Sequence, residues 1–371
     1  MTREMQQPGW LQGLGMLLAV AAMVVLMTAP TPQGDPHVLA ALCLAGALAL
    51  GALDLRLRSP VVLALMGALL AGGAAILVAD VQAPVAPSFW AMFLAVWLGA
   101  WMLEERLSNL APRSEFGRRA TALIVPLIFG VTLLWLWQAG VRGGNVPSVI
   151  LPAPTDIAAR MAASGATLWR DFFATFVMGA LTGYAMGCGA AVAVALAVDR
   201  YDFLRRGLLP VGNFVAALPI VGTAPIMVMW FGFGWQSKAA VVVAMVFFPM
   251  LVNTVQGLLA TESIQRDLMR TYSASHRQSL LKLRLPAAMP FIFNGLKICS
   301  TLALIGAIVA EFFGSPTHGM GFRISSGVGR LQLDMVWATI VVAAVAGSSF
   351  YGILAALESR VTFWHPSQRG R

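Results

Sequence analysis

Between Glu262 and Pro286 the chain reads ESIQRDLMRTYSASHRQSLLKLRLP, a polar stretch set between two strongly apolar runs. Arg266, Arg270, Arg277, Lys282 and Arg284 outnumber Glu262 and Asp267, so it is basic. Its chemistry is recognition rather than bond making. The small residues Ser273, Ala274 and Ser275 at its centre leave room for another surface to come close. A basic, helix-prone segment held between apolar runs needs a reason to be ordered, and a soluble partner supplies one.

A second group of candidates lies inside or at the ends of the apolar runs. Charge in hydrocarbon is costly, so an intramembrane ionisable residue is first read as functional. Glu311 fits that reading, and with Asn213, Pro219, Met227 and Met229 it is a candidate lining for a translocation path. Pro210, Pro219 and Pro225 break helix regularity, which is tolerated at membrane depth where the backbone is packed or lines a wet cavity. Plainer readings stand beside these. Glu262 and Glu358 fall at run ends, Lys297 snorkels or pairs, and Asn213, Asn253 and Asn294 bond between helices.

Other chemistries find no footing. No stretch reads G-x-x-x-x-G-K-[ST] or G-x-S-x-G, so neither a phosphate cradle nor a serine nucleophile is expected. His37, His276, His318 and His365 are scattered, and Cys43, Cys188 and Cys299 each sit in an apolar run. No metal site, disulfide framework, bound cofactor or enzyme activity is therefore expected.

The elements that position these residues are membrane helices. Of the 371 residues 58% are hydrophobic and 11% charged, which excludes an ordinary soluble domain. The fold expected is all-α, a polytopic transmembrane bundle of about ten spans. They are Gly13–Ala29, Val38–Leu53, Val61–Ala79, Phe89–Leu103, Ala120–Val141, Phe172–Val198, Leu208–Phe231, Ala239–Leu259, Ala287–Phe313 and Met335–Leu357. The first is read as an uncleaved span, because Pro30-Thr31-Pro32 follows it instead of a small-x-small cleavage site. Thr155 or Asp156 is expected to cap a short helix running toward Met161. Gly179, Gly183 and Gly187 make a small-residue stripe that lets a helix of the same chain, or of a second copy, approach closely.

The net charge of +9 suggests nucleic acid only until the basic residues are located: they lie in the short connections. With the N-terminus inside, eighteen Lys and Arg fall on cytoplasmic segments and six, Lys238 among them, on outer ones. That asymmetry predicts both termini in the cytoplasm and puts the Glu262–Pro286 loop there too.

The loop's spacing carries a resemblance. Asp267-Leu268-Met269, three residues, Ser273, nine residues and then Leu283-Arg284-Leu285-Pro286 resembles the EAA loop of ABC importer permeases. Asp267 stands for the usual Glu, both alanines are replaced, and Ser273 stands where Gly is usual. Trp230–Lys238, Phe247–Leu258, Leu283–Ile298 and Gly306–Ser315 are similar to the nitrate, sulfonate and taurine branch of that family. The resemblance covers about Val146 to Pro366. It implies that residues 111–371, the last six spans, form the permease domain, and that residues 1–110 are an additional four-span region.

It further implies that the loop, through Asp267, Arg270, Tyr272, Ser273, Ala274, Ser275, His276, Leu285 and Pro286, docks on a cytoplasmic ATP-binding subunit. The ATP would be hydrolysed by that separate subunit. A second permease copy or sister permease and an extracytoplasmic solute-binding protein are the other implied partners. The implied cargo is a small polar solute, either nitrate-, sulfonate- or taurine-like or a heterocyclic vitamin precursor. Two alternatives stay open: a self-sufficient secondary transporter, and a membrane scaffold anchoring a soluble partner.

Overall fold

The computed structural model describes residues 42–47, 60–79, 87–109, 114–201, 203–204, 206–208, 210–211, 219–314 and 317–364. Among these residues the regular secondary structure is all helix, joined by short turns, with no strand. The Gly13–Ala29 run, most of Val38–Leu53, and Asn213 lie outside them.

The chain divides into two compact units, residues 1–157 and 158–371. In the first, α1 (Pro60–Ala79), α2 (Pro87–Ser108) and α3 (Glu115–Gly143) pack on one another. Met66, Leu70 and Leu77 of α1 meet Phe89, Met92, Val96 and Leu103 of α2, and Ala139 of α3 closes that core. Trp135 stacks on Phe93 with ring centroids 5.6 Å apart, and its indole N–H donates to the Ala74 carbonyl at 3.0 Å. Helix α3 starts cleanly because the Ser114 side chain accepts from the Gly117 N–H at 3.0 Å.

The short helix α4 (Pro154–Ala163) corrects one expectation. Thr155 and Asp156 do not cap it. Pro154 occupies its first turn, where a missing N–H costs nothing. The two side chains turn back to α3 instead, Thr155 bonding Gln138 at 3.0 Å and Asp156 pairing with Arg142 at 2.5 Å.

The second unit is built around α7 (Trp235–Leu259), whose Val241, Val242, Val246, Met250, Leu251 and Leu258 are buried. Its two broadest contacts are with α5 (Gly165–Arg200) and α9 (His276–Gly314). Between α5 and α7 lies α6 (Ile220–Phe231), and α8 (Ser263–Thr271) precedes α9. The chain then continues through α10 (Met320–Gly329) to α11 (Leu333–Val361).

The glycine stripe of α5 packs within the chain. A Cβ on Gly183 would lie 2.6 Å from Val242 Cβ and 2.8 Å from the Ala239 carbonyl, and one on Gly187 would strike Val246. Only a bare backbone lets α5 sit this close to α7. Cys188 and Cys299 are buried in the same core as free thiols, and Cys299 Sγ donates to the Val246 carbonyl.

Helices α3, α5, α7, α9 and α11 are long and apolar enough to cross a membrane. The Leu208–Phe231 run behaves differently. Pro219 is extended, with φ −70° and ψ 111°, and α6 begins only at Ile220. At about 1.5 Å per residue its twelve residues are too short to cross the hydrocarbon alone.

Two π-helical stretches interrupt the long helices: Phe173–Leu181 within α5 and Leu280–Arg284 within α9.

Candidate functional site

The Glu262–Pro286 stretch folds as a helix–turn–helix. Glu262 and Gln265 cap α8 reciprocally, the Glu262 carboxylate serving the third-residue N–H and the Gln265 carbonyl accepting from the Glu262 N–H. Ser275 and Gln278 do the same where α9 begins. Four capping side chains thus hold the segment helical with few buried contacts.

Between the helices the Ser273 N–H donates to the Arg270 carbonyl at 2.8 Å and the Ala274 N–H to the Met269 carbonyl at 2.9 Å. This is a Schellman ending, whose residue after the cap takes the left-handed backbone. Ser273 has φ 51°, the conformation for which glycine is the usual choice. Tyr272, Ser273, Ser275 and His276 are exposed around this turn, Asp267 and Arg270 form a solvent-facing ion pair at 3.5 Å, and Ala274 is half-buried.

The exit of the loop is bound firmly to the helices beneath it. Arg284, on the π stretch, makes a two-pronged contact with Asp199 at the end of α5, one prong being 2.9 Å. Its Nε and second amino group also donate to the Leu258 carbonyl at the end of α7, at 3.2 and 3.1 Å. His276 Nε2 lies 3.9 Å from Asp199 as well. One guanidinium therefore joins the ends of α5 and α7 to the start of α9, a task for which its planar fork suits it. Leu285 and Pro286 follow directly, half-buried at the root of the span.

At the other end of α7, some twenty residues or about 30 Å away, lies a second cluster. Glu311, 1% exposed, accepts from Lys238 Nζ at 2.7 Å through one oxygen. Its other oxygen accepts from Thr175 Oγ1 at 2.7 Å and the Gly321 N–H at 2.8 Å. Asp171, fully buried, accepts from the Gly319 N–H at 2.9 Å and from Arg323 Nε at 2.7 Å. The sequence places Lys238 among outer-loop charges, and that is corrected here. Lys238 lies in the first turn of α7, and the attraction of a buried carboxylate holds it inside.

The remaining sequence candidates scatter. Met229 is 83% exposed, whereas Met227 is half-buried beside Ala224 and Val241. Pro219 precedes α6, and Asn213 is outside the described residues. Asn294 donates to Asn253 at 3.2 Å across α9 and α7, and Lys297 pairs with Glu358 at 2.6 Å across α9 and α11. Asp199, Asp171, Thr175 and Arg323 escaped the sequence reading. For Asp171 and Thr175 a signal was present, since an i, i+4 pair shares one helix face.

Comparison with known proteins supplies the family. Residues 183–363 match the family described as binding-protein-dependent transport system inner membrane component. A probable ABC transporter permease protein of Haemophilus influenzae is 31% identical, covering 59% of this chain and 89% of that protein. The chain belongs to this family. The permease is also 32% identical to the riboflavin transport system permease protein RibX of Chloroflexus aurantiacus, over 63% of its own length and 88% of RibX. To the taurine transport system permease protein TauC of Escherichia coli it is 29% identical, over 71% and 98%. It is thus a multi-pass inner-membrane permease component of a binding-protein-dependent importer, a family that works with an ATP-binding subunit and a solute-binding protein.

Proposed function

We propose that the permease pairs with a second permease, itself or a sister chain, and moves a small polar solute under the drive of two cytoplasmic ATP-binding subunits. The observation that carries this reading is the capped helix–turn–helix at Glu262–Pro286, presented on one side and clamped by Arg284 on the other. Closure of the ATP-binding subunits would displace the turn at Ser273–Ser275. A ligand shifts such an equilibrium only through contacts that differ between its two states. The docked turn supplies the differing contact, and the Arg284 joint passes the displacement to α5, α7 and α9.

The chain is oriented with both termini and the loop in the cytoplasm across about ten spans, a reading supported by the distribution of Lys and Arg. The cargo is a small polar solute: sulfonate- or taurine-like or a heterocyclic vitamin or precursor, the classes named for relatives, or nitrate-like, as the resemblance implies. ATP is hydrolysed by the separate subunit, and this chain binds no cofactor of its own. Residues 1–110 form an additional region outside the pathway, and residues 111–371 form the transport domain.

Reconstitution tests the reading. Proteoliposomes holding this chain, its ATP-binding subunit and the loaded binding protein accumulate solute only with ATP, and a chain beginning at Ala111 retains that uptake. A cysteine at Arg277 reacts with an impermeant thiol reagent from the cytoplasmic side alone. Uptake driven by an ion gradient without ATP would mark a secondary transporter. ATPase binding without any uptake would mark a scaffold.

A further inference from the structure

The buried cluster at the end of the spans opposite the loop is not needed to explain docking, and its construction is unusual. It holds two buried carboxylates and a buried lysine, and a half-buried arginine makes the set neutral. Buried ion pairs are poor sources of stability, since desolvation consumes most of the Coulomb attraction. Their presence calls for a role in fixing geometry.

That geometry is specific. The N–H groups of three successive residues, Gly319, Met320 and Gly321, open α10. Each is taken by a different side chain: Asp171 and Thr175 of α5, and Glu311 of α9. Thr175 accepts from Met320 at 2.7 Å while donating its own proton to Glu311, so the bonds form a directed chain. The positive end of α10 therefore rests on two carboxylates, an arrangement favoured by the helix dipole. Lys238 brings α7 to the same carboxylate, and Arg323 returns from α10 itself to Asp171.

The glycines complete the seat. Gly319 has φ 125°, outside the range of side-chain-bearing residues, and a Cβ there would collide with the Glu311 carboxylate. A Cβ on Gly321 would strike the Ile308 carbonyl and lie 2.7 Å from Glu311 Cβ. Backbone and carboxylate are thus fitted to one another at both positions.

We infer that Glu311, with Thr175 and Asp171, is a positioning group that seats α10 on α5, α7 and α9, so that α10 moves with these helices during transport. Uptake then depends on this seat, an inference that rests on the permease reading. The seat meets the same three helices as the Arg284 joint, at their opposite ends. A displacement begun at the loop therefore reaches α10 without a flexible link.

The test uses the reconstituted complex and a cysteine at Met320, a position fully buried in the intact protein, in a chain freed of Cys43, Cys188 and Cys299. Two variants are compared. Lys238→Met with Glu311→Leu removes both charges at similar volume, and Thr175→Val removes one hydroxyl without changing shape. In each, the ATP-binding subunit still co-purifies, because the loop end is untouched. Labelling at position 320 accelerates and uptake falls by about tenfold, as the loss of a buried hydrogen bond to α10 requires. The Thr175→Val variant serves if the double variant fails to reach the membrane. Continued protection of position 320, or full uptake with position 320 exposed, overturns the inference. If the permease reading itself is wrong, the unmodified complex shows no ATP-driven uptake, while labelling at 320 still reports on the seat.

Discussion

Ala274→Glu abolishes both ATP-driven uptake and co-purification of the ATP-binding subunit, while the chain reaches the membrane at its normal level. Ala274 sits at the turn between α8 and α9, half-buried, with its N–H fixed to the Met269 carbonyl. The backbone there does not depend on the side chain, and the neighbours Ser273 and Ser275 are small and exposed. In solvent the substitution costs no more than about 0.5 kcal/mol. In a docked interface it buries an unpaired carboxylate, and burying such a charge costs about 3–5 kcal/mol. Affinity purification through a tagged ATP-binding subunit, beside an uptake assay in the same cells, reads both quantities. Normal uptake by a well-expressed variant would show that the turn is not where the subunits meet.

Arg284→Met has the second large effect, through stability. The Arg284 side chain is 14% exposed and Asp199 5%, so the pair is largely desolvated. Removing the guanidinium leaves the Asp199 carboxylate buried with, among the described residues, His276 at 3.9 Å, and strips two donors from the Leu258 carbonyl. Loss of one partner of such a pair costs roughly 3–5 kcal/mol. Thermal unfolding of the purified chain in detergent shifts sharply downward, and uptake is lost with it. Arg284→Lys recovers only part, since a single ammonium cannot span Asp199 and the Leu258 carbonyl as a planar fork does. Asp199→Asn is milder because Arg284 keeps its bonds to Leu258. A melting curve for Arg284→Met that overlies the native one would remove the joint from the account.

How much of this was legible in the sequence depended on distance along the chain. The loop could be read because its charges, its small centre and Pro286 fall within twenty-five residues. Ser273 stands where the resembling family carries glycine, which permits a positive φ more readily than serine does, and the structure nonetheless has φ 51° there. Asn253 with Asn294, and Lys297 with Glu358, meet as partners across helices, which is among the readings given to Asn253, Asn294 and Lys297.

Lys238 was misplaced for a physical reason. WFGFGWQSK ends in a polar triplet that looks like the rim of a loop, yet Gly234 caps a helix beginning at Trp235. Its partner Glu311 is 73 positions away, and periodicity holds no record of such a pair. Thr155 and Asp156 misled in the same way, since a capping side chain and one facing a neighbouring helix have identical composition. The break at Pro219 was legible; how far the following helix would extend was not.

The π stretch at Leu280–Arg284 has a consequence for insertions and deletions. An α-helix turns 100° per residue, and a π turn accommodates one residue more than the α pattern needs. This stretch joins the loop to a span of thirty residues, Leu285–Gly314, so it acts as a phase adjuster between the two. With the extra residue, His276 on the loop side lies 3.9 Å from Asp199 while Arg284 and Glu311, on the span side, face Asp199 and Lys238. Losing one residue here would let the α pattern run through and turn the span about 100° against the loop. The loop and the span would each survive, but the turn at Ser273–Ser275 would no longer keep its present orientation to the span that carries Arg284 and Glu311. Chain length across these five residues is therefore under a constraint that their identities do not reveal.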